Sequence, residues 1–324
     1  MTTELLDARR TPDLAIDRAS ELLRSGEVVG IATETVYGLG ACIFNETAIR
    51  KIYVAKGRPQ DNPLIAHIAS LEDVSLVARD IPDEFYRLAE VFFPGALTVI
   101  LRRNLNIPAI VSAGLDTIAV RMPDHEIALR IIAASGQPLV APSANRSGRP
   151  SPTTAQHVLD DLSGRIAAVV DGGQCSVGIE STIIDILDET PMIVRPGSIT
   201  REEIEQILGK IVAIHSGKES VAPIAPGMKY RHYAPQAMVQ MMNSWAHILE
   251  TIQKNPTVKR MILTEEEAPP ELKNHVYFLS SQTIYADFRR ADAESFREIL
   301  ILCGDSVQTN AALMNRITKA ASGI

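Results

Sequence analysis

The residues best able to do chemistry in this chain sit in short polar segments punctuated by glycine and proline. In Lys56-Gly57-Arg58-Pro59-Gln60-Asp61-Asn62-Pro63 two cations flank a glycine, and an asparagine stands just before an apolar run. An ammonium is a point charge and a guanidinium a planar fork, a combination suited to a polyphosphate. The same cations would also suit a helix C-terminus, where they complement the dipole. Ala141-Pro142-Ser143-Ala144-Asn145 and the following stretch to Thr153 supply hydroxyls and an amide between an apolar run and a helical pattern. Hydroxyls beside helix-start N–H groups make an anion site, although Ser151 could instead cap the helix. Arg121 closes the apolar run Ile118–Val120. An arginine there is costly unless a carboxylate or phosphate pairs with it, and an internal Asp or Glu is the alternative partner. His67, within apolar Leu64–Ile68, reads more simply as a core histidine. Thr33–Gly40 (TETVYGLG), Gly178–Thr182 (GIEST) and Arg195-Pro196-Gly197 complete the set. In open α/β sheets, ligands bind at strand ends of this kind.

Missing motifs narrow the chemistry. No G-x-x-x-x-G-K-[ST] loop, G-x-G-x-x-G fingerprint, H-E-x-x-H or G-x-S-x-G occurs. Three scattered cysteines (Cys42, Cys175, Cys303) exclude a disulfide framework and a Cys-based zinc module, and suit a reducing cytosol. Cys175 has no histidine context that would make it a nucleophile.

The elements that must position these residues alternate. Thr11 to Gly26 reads as a helix with Thr11 as N-cap and Pro12 at its first position. Asn45 caps a second helix ending near Gly57, and Thr200-x-x-Glu203 is a capping box opening another. Strands are expected at 27–33, 64–68, 97–101, 117–121, 139–141, 166–171, 182–186 and 192–195, and helices at 124–135 and 153–162. The fold class is α/β, and neighbouring strands without an intervening helix make the sheet mixed. Residues 215–236 lose periodicity and hold several prolines, so they read as a linker between a domain at 1–214 and a small α/β domain at 237–324. In the second domain, 237–242, 258–264 and 275–279 read as strands, 244–254 and 310–321 as helices, and 294–302 as either.

The chain has 324 residues, 46% of them apolar and 22% charged, ample for a packed core. No run approaches a membrane span, and residues 1–10 hold no apolar signal region, so a cytoplasmic protein with no membrane partner is expected. A net charge of −7 argues against bulk nucleic-acid affinity as the main property.

Taken in order, TETVYGLG, KGRPQDNPL, PSANRSGRPSPT, GIESTIID and RPGSI resemble the YrdC family, strongly over residues 10–235. The length, PGMKYRHYAP at 226–235 and NRITKAA at 315–321 resemble its long two-domain form, although Ala225 stands where that form usually has serine. The resemblance implies an open, twisted mixed sheet flanked by helices, then a Rossmann-like C-terminal domain. It also implies nucleotidyl transfer: L-threonine, bicarbonate and ATP, with Mg²⁺ held through the ATP phosphates and by no protein side chain, give threonylcarbamoyl-AMP and pyrophosphate. That product is the activated intermediate for threonylcarbamoyl-adenosine in tRNA, passed on to a threonylcarbamoyl transferase. The family's Lys-x-Arg…Ser-x-Asn set falls on Lys56, Arg58, Ser143 and Asn145. ATP contacts fall on Arg58, Asn62, Thr117, Ser143, Ser151, Arg195 and Tyr233, and threonine contacts on Thr35, His67, Arg121, Ala141 and Ser181. The linker, with Lys229, Arg231, His232 and Tyr233, is expected to act as a lid. A different class of function, an RNA-binding module in tRNA or ribosome maturation with weak RNA affinity, is the alternative.

Overall fold

The computed structural model describes residues 2–215 and 233–322 and divides into two compact units. Most of the 215–236 linker, with Ala225, Lys229, Arg231 and His232, lies outside the described residues. The first unit comprises Met1–Ser147 and Ser151–Lys229, and the second Gly148–Pro150 and Tyr230–Ile324.

The first unit is built from β1 (Glu4–Asp7), α1 (Pro12–Arg24), β2 (Val29–Ile31), β3 (Gly38–Cys42), α2 (Glu46–Lys56), β4 (Ile65–His67), α3 (Val74–Val77), β5 (Ala78–Arg79), α4 (Asp83–Phe92), β6 (Leu97–Arg103) and β7 (Thr117–Arg121). It continues through α5 (Glu126–Ala134), β8 (Leu139–Val140), α6 (Ala155–Leu162), β9 (Ala168–Asp171), β10 (Thr182–Asp185), β11 (Met192–Arg195), α7 (Arg201–Leu208) and β12 (Ala213–Ile214). The strands form one open 12-stranded sheet in the order β1-β9-β2-β3-β8-β4-β7-β6-β10-β11-β12, with β5 paired to β6. The sheet is mixed: β4 runs parallel to β7, whereas β2–β3, β3–β8 and β6–β7 are antiparallel. Its main core includes Tyr37, Ile49, Ile52, Phe85, Leu101 and Val120, each nearly fully buried. Each such side chain contributes about 1.5–3 kcal/mol over leaving it exposed.

Local chemistry explains several boundaries. Asn45 accepts from the Ala48 N–H at the start of α2, and Gly57 ends the helix at φ +61°, a left-handed position that favours glycine. The capping box of α7 forms as expected, with Thr200 and Glu203 each bonding the other's backbone N–H. Thr11 stands at the N-cap of α1 with Pro12 at its first position, as expected, although its side chain makes no capping hydrogen bond. Thr154, not Ser151, caps α6 by accepting from the His157 N–H.

The second unit has β13 (Met238–Met242), α8 (Trp245–Lys254), β14 (Arg260–Thr264), β15 (Val276–Phe278), α9 (Ile284–Ala293), β16 (Glu298–Leu302), α10 (Asp305–Thr309) and α11 (Ala311–Ala321). Its four strands are all parallel, in the order β13-β16-β14-β15. The ambiguous stretch 294–302 resolves as strand from Glu298, because its apolar residues pair on both sides with β13 and β14. Tyr233 belongs to this unit, where its ring stacks on Tyr285 at 5.4 Å and the fully buried Arg316 lies 5.2 Å from its centre.

Candidate active site

The connection from β2 to β3 carries Thr33–Val36. The Thr33 hydroxyl accepts from the N–H groups of Thr35 and Val36 and lies 2.6 Å from the Val36 carbonyl, closing a tight hydroxyl-centred turn. That turn aims Thr35 at Arg121, the last residue of β7. Arg121 is only 4% exposed, and each arm of its guanidinium meets a different acceptor. Nε donates to the Gly95 carbonyl at 3.1 Å, Nη1 donates to Thr35 Oγ1 at 2.8 Å, and Nη2 lies 2.6 Å from Glu34 Oε1. The internal carboxylate partner left open above is therefore Glu34. The parallel register of β4 and β7 sets His67 beside Arg121.

Charge follows from this packing. Burial pushes the Glu34 carboxyl up, but the Arg121 charge and the Asp124 backbone N–H outweigh it, and the group sits below its ordinary range. Burial first, and then Arg121, push His67 down to about 3, so the ring is neutral at pH 7. Its Nδ1 lies 3.1 Å from the Ile65 carbonyl, which assigns the proton to Nδ1 and leaves Nε2 as an acceptor. Thr33, Gly38, His67, Pro123, Leu139 and Ala141 line a small pocket here. The Ala141 N–H is itself engaged by the Ile65 carbonyl at 3.2 Å.

A second cluster forms around the end of α2. Lys56 is 3% exposed, and its Nζ donates to the carbonyls of Ser143 and of Asn145, the latter at 2.6 Å. Ser143 Oγ donates to Asn145 Oδ1 at 2.6 Å, and the Ser147 N–H returns to the Lys56 carbonyl. Lys56, Ser143 and Asn145, predicted from separate segments, are thus brought together. Arg58 turns instead toward the carbonyls of Asn62 and Pro63, at 3.2 and 2.9 Å. Asn62 is buried, and its Oδ1 has no hydrogen-bond partner among the described residues. An idle buried acceptor of this kind suits a ligand N–H.

Ser181 and Arg195 meet as well. Arg195 Nη2 donates to the Ser181 carbonyl and hydroxyl at 2.9 and 3.1 Å, and Ser181 shares a hydrogen bond with Thr98 at 2.7 Å. Gly197 is required beside them, because a Cβ there would lie 2.3 Å from the Thr182 nitrogen and 2.6 Å from the Ser181 carbonyl carbon. Ser151 donates to Glu180 at 2.5 Å. Thr117 stands at the opposite end of β7 from Arg121, opposite Arg102, and Tyr233 lies in the second unit. Cys175 is buried and its thiol is pushed up to about 12, which rules it out as a thiolate nucleophile at neutral pH.

Sequence reasoning did not select Glu34, Glu180 or Thr98. Glu34 and Glu180 stood inside the polar segments, but their partners are far away in sequence. Thr98, a hydroxyl within the apolar strand β6, was the clearest available signal.

The fold and site define a two-unit α/β protein whose first unit holds a buried, ion-paired arginine close in the sheet to a neutral histidine, and a separate lysine cluster at a helix end. Residues 21–197 match the family described as "Telomere recombination", and residues 199–322 match "Threonylcarbamoyl-AMP synthase, C-terminal domain". The threonylcarbamoyl-AMP synthase of Bacillus subtilis is 41% identical over 334 residues, covering 99% of this chain and 96% of that one. That of Pyrococcus abyssi is 49% identical over 242 residues, covering 74% of this chain and 71% of its own. The crystal structure of P. abyssi Sua5 complexed with L-threonine matches with a TM-score of 0.90 at 39% identity, over 99% of this chain and 98% of that one. The chain belongs to the threonylcarbamoyl-AMP synthase family.

Proposed function

We propose that the first unit joins L-threonine, bicarbonate and ATP to give L-threonylcarbamoyladenylate and pyrophosphate, a nucleotidyl transfer serving threonylcarbamoyl-adenosine formation in tRNA. The observation that carries the residue assignment is the convergence of Lys56, Ser143 and Asn145 in the same unit as the Thr35–Arg121–His67 cluster.

Arg121 and Thr35 take the threonine carboxylate, because a planar fork already steered by neighbouring acceptors is preorganised for it. The neutral His67 accepts from the threonine hydroxyl, and Ala141 and Ser181 complete the amino-acid side. The amine and bicarbonate form a carbamate, with loss of water. A carbamate oxygen then attacks the α-phosphorus of ATP, forming the P–O bond as the bond to pyrophosphate breaks. Such a displacement needs positioning and charge stabilisation more than covalent help from the protein. Lys56 and Arg58 stabilise charge on the phosphates, while Ser143 and Asn145 orient them. Asn62, Thr117, Ser151 and Arg195 hold the rest of ATP. Mg²⁺ would enter with ATP and lower the charge of the departing pyrophosphate. The product would pass to a threonylcarbamoyl transferase in the cytoplasm, and water exclusion by residues 215–236 would protect this labile anhydride.

Pyrophosphate release with threonine and bicarbonate omitted in turn tests the reading. Release that needs both is expected. Release without threonine would contradict it, and tight tRNA binding with no release at all would favour the RNA-binding alternative.

A further inference from the structure

We propose that Glu34 is a positioning residue for the amino-acid substrate, acting through Arg121; this rests on the reading of Arg121 as the partner of the threonine carboxylate. Two of the three arms of the Arg121 guanidinium are held by neutral acceptors, the Gly95 carbonyl and the Thr35 hydroxyl. Glu34 is the third partner and the one that brings a countercharge, with both side chains almost fully buried. Without that charge, a buried cation would rest on neutral acceptors, and the Nη2 arm would lose what steers it.

Glu34 is itself well anchored. Its backbone carbonyl accepts from the Val177 N–H at 2.8 Å, and it sits next to the Thr33-centred turn. It can therefore dictate the guanidinium orientation rather than follow it.

The geometry of the pair also matters. Glu34 Oε1 and Arg121 Nη2 approach to 2.6 Å, yet the contact between them is not an aligned hydrogen bond. A side-by-side, two-bond pairing would consume the fork. This off-axis pairing supplies charge and direction while leaving N–H directions of Nη2 for an incoming carboxylate, within the five donors a guanidinium offers. Glu34 thus has opposed effects on threonine: it orients the fork, and its negative charge repels the substrate carboxylate. The proposal is that orientation wins.

Steady-state pyrophosphate release by the full-length chain tests this. Glu34→Gln is expected to raise KM for threonine about tenfold, the scale of one charged contact losing its direction, with KM for ATP unchanged and kcat within about threefold. Glu34→Asp keeps the charge on a shorter arm and should recover part of the loss, and it serves as the readout if Glu34→Gln does not fold. Because Glu34 acts through Arg121, adding Glu34→Gln to Arg121→Lys should raise KM for threonine no further than Arg121→Lys alone. An unchanged or lowered KM for threonine in Glu34→Gln would overturn the proposal. So would equal losses for threonine and ATP together with a lowered Tm, which would mark Glu34 as structural only. If the wild-type chain releases no pyrophosphate with threonine, the functional reading fails first, and the inference with it.

Discussion

In each unit a buried arginine pairs with a glutamate, and the two pairs differ in what they hold. Arg260 and Glu298 are direct neighbours in the register of parallel strands β14 and β16. Nε of Arg260 donates an aligned bond to Glu298 at 2.5 Å, and Nη1 donates to the carbonyls of Asn255 and Val258. Every partner lies within the strands or the turn leading into them, so this pair stitches a sheet. Arg121 and Glu34 come from a strand end and a connection far away in sequence; they pair off-axis and sit beside a histidine held neutral. Burial and opposite charge are common to both, so neither marks a site. What distinguishes Arg121 is the unaligned contact and the company of Thr35 and His67.

Removing each arginine in turn should separate the two pairs. Arg121→Met and Arg260→Met should each cost about 3–5 kcal/mol of stability, because each removes a buried guanidinium and strands its carboxylate, almost fully buried at Glu34 and partly so at Glu298. Only Arg121→Met should also reduce kcat/KM for threonine, by at least ~100-fold. Urea unfolding and pyrophosphate release measure the two effects, and a threonine defect in Arg260→Met would erase the distinction. Lys56→Ala should cut kcat about 100-fold, the usual scale for one charge-stabilising donor, with KM for threonine within about twofold. Pyrophosphate release under saturating threonine reads this, and near-normal turnover would remove Lys56 from the phosphate assignment.

The smallest expected effect is a pH dependence. The folded His67 titrates near 3, against an ordinary value of 6.5. Between those values the unfolded chain binds the proton and the folded chain does not. The contribution to stability is whole above pH 6.5 and is lost as pH falls toward about 3, at ~1.4 kcal/mol per pH unit within the window. Going from pH 7 to 5, the wild type should therefore lose about 1–2 kcal/mol more than His67→Gln by urea midpoint. Equal losses would mean that His67 is not held neutral by its surroundings.

Much of this arrangement was legible in the sequence because it rests on local rules. The helix from Asn45 to Gly57, the Thr200 capping box and the strand Thr117–Arg121 all appear where short-range pattern placed them. Strand β3 was not legible: no strand was expected over Gly38–Cys42, where two glycines interrupt the apolar pattern. Gly40 is needed in the strand because a Cβ there would meet Ile31 Cδ1 at 2.8 Å. Ser151 looked like a cap, yet its hydroxyl goes to Glu180, a partner that no local rule connects to it. Arg121 plainly needed an acid, but Glu34 is brought to it by the sheet across a long stretch of chain, and nothing in spacing or periodicity selects it.

In the proposed reading, one unit keeps an amino-acid side at Arg121 and a phosphate side at Lys56. Calorimetric titration of threonine and of ATP into the full-length wild type, Arg121→Met and Lys56→Ala tests it most directly. The account predicts that Arg121→Met loses threonine binding and keeps ATP binding, while Lys56→Ala weakens ATP and keeps threonine. Both variants losing the same ligand, or Arg121→Met binding threonine like the wild type, would contradict it.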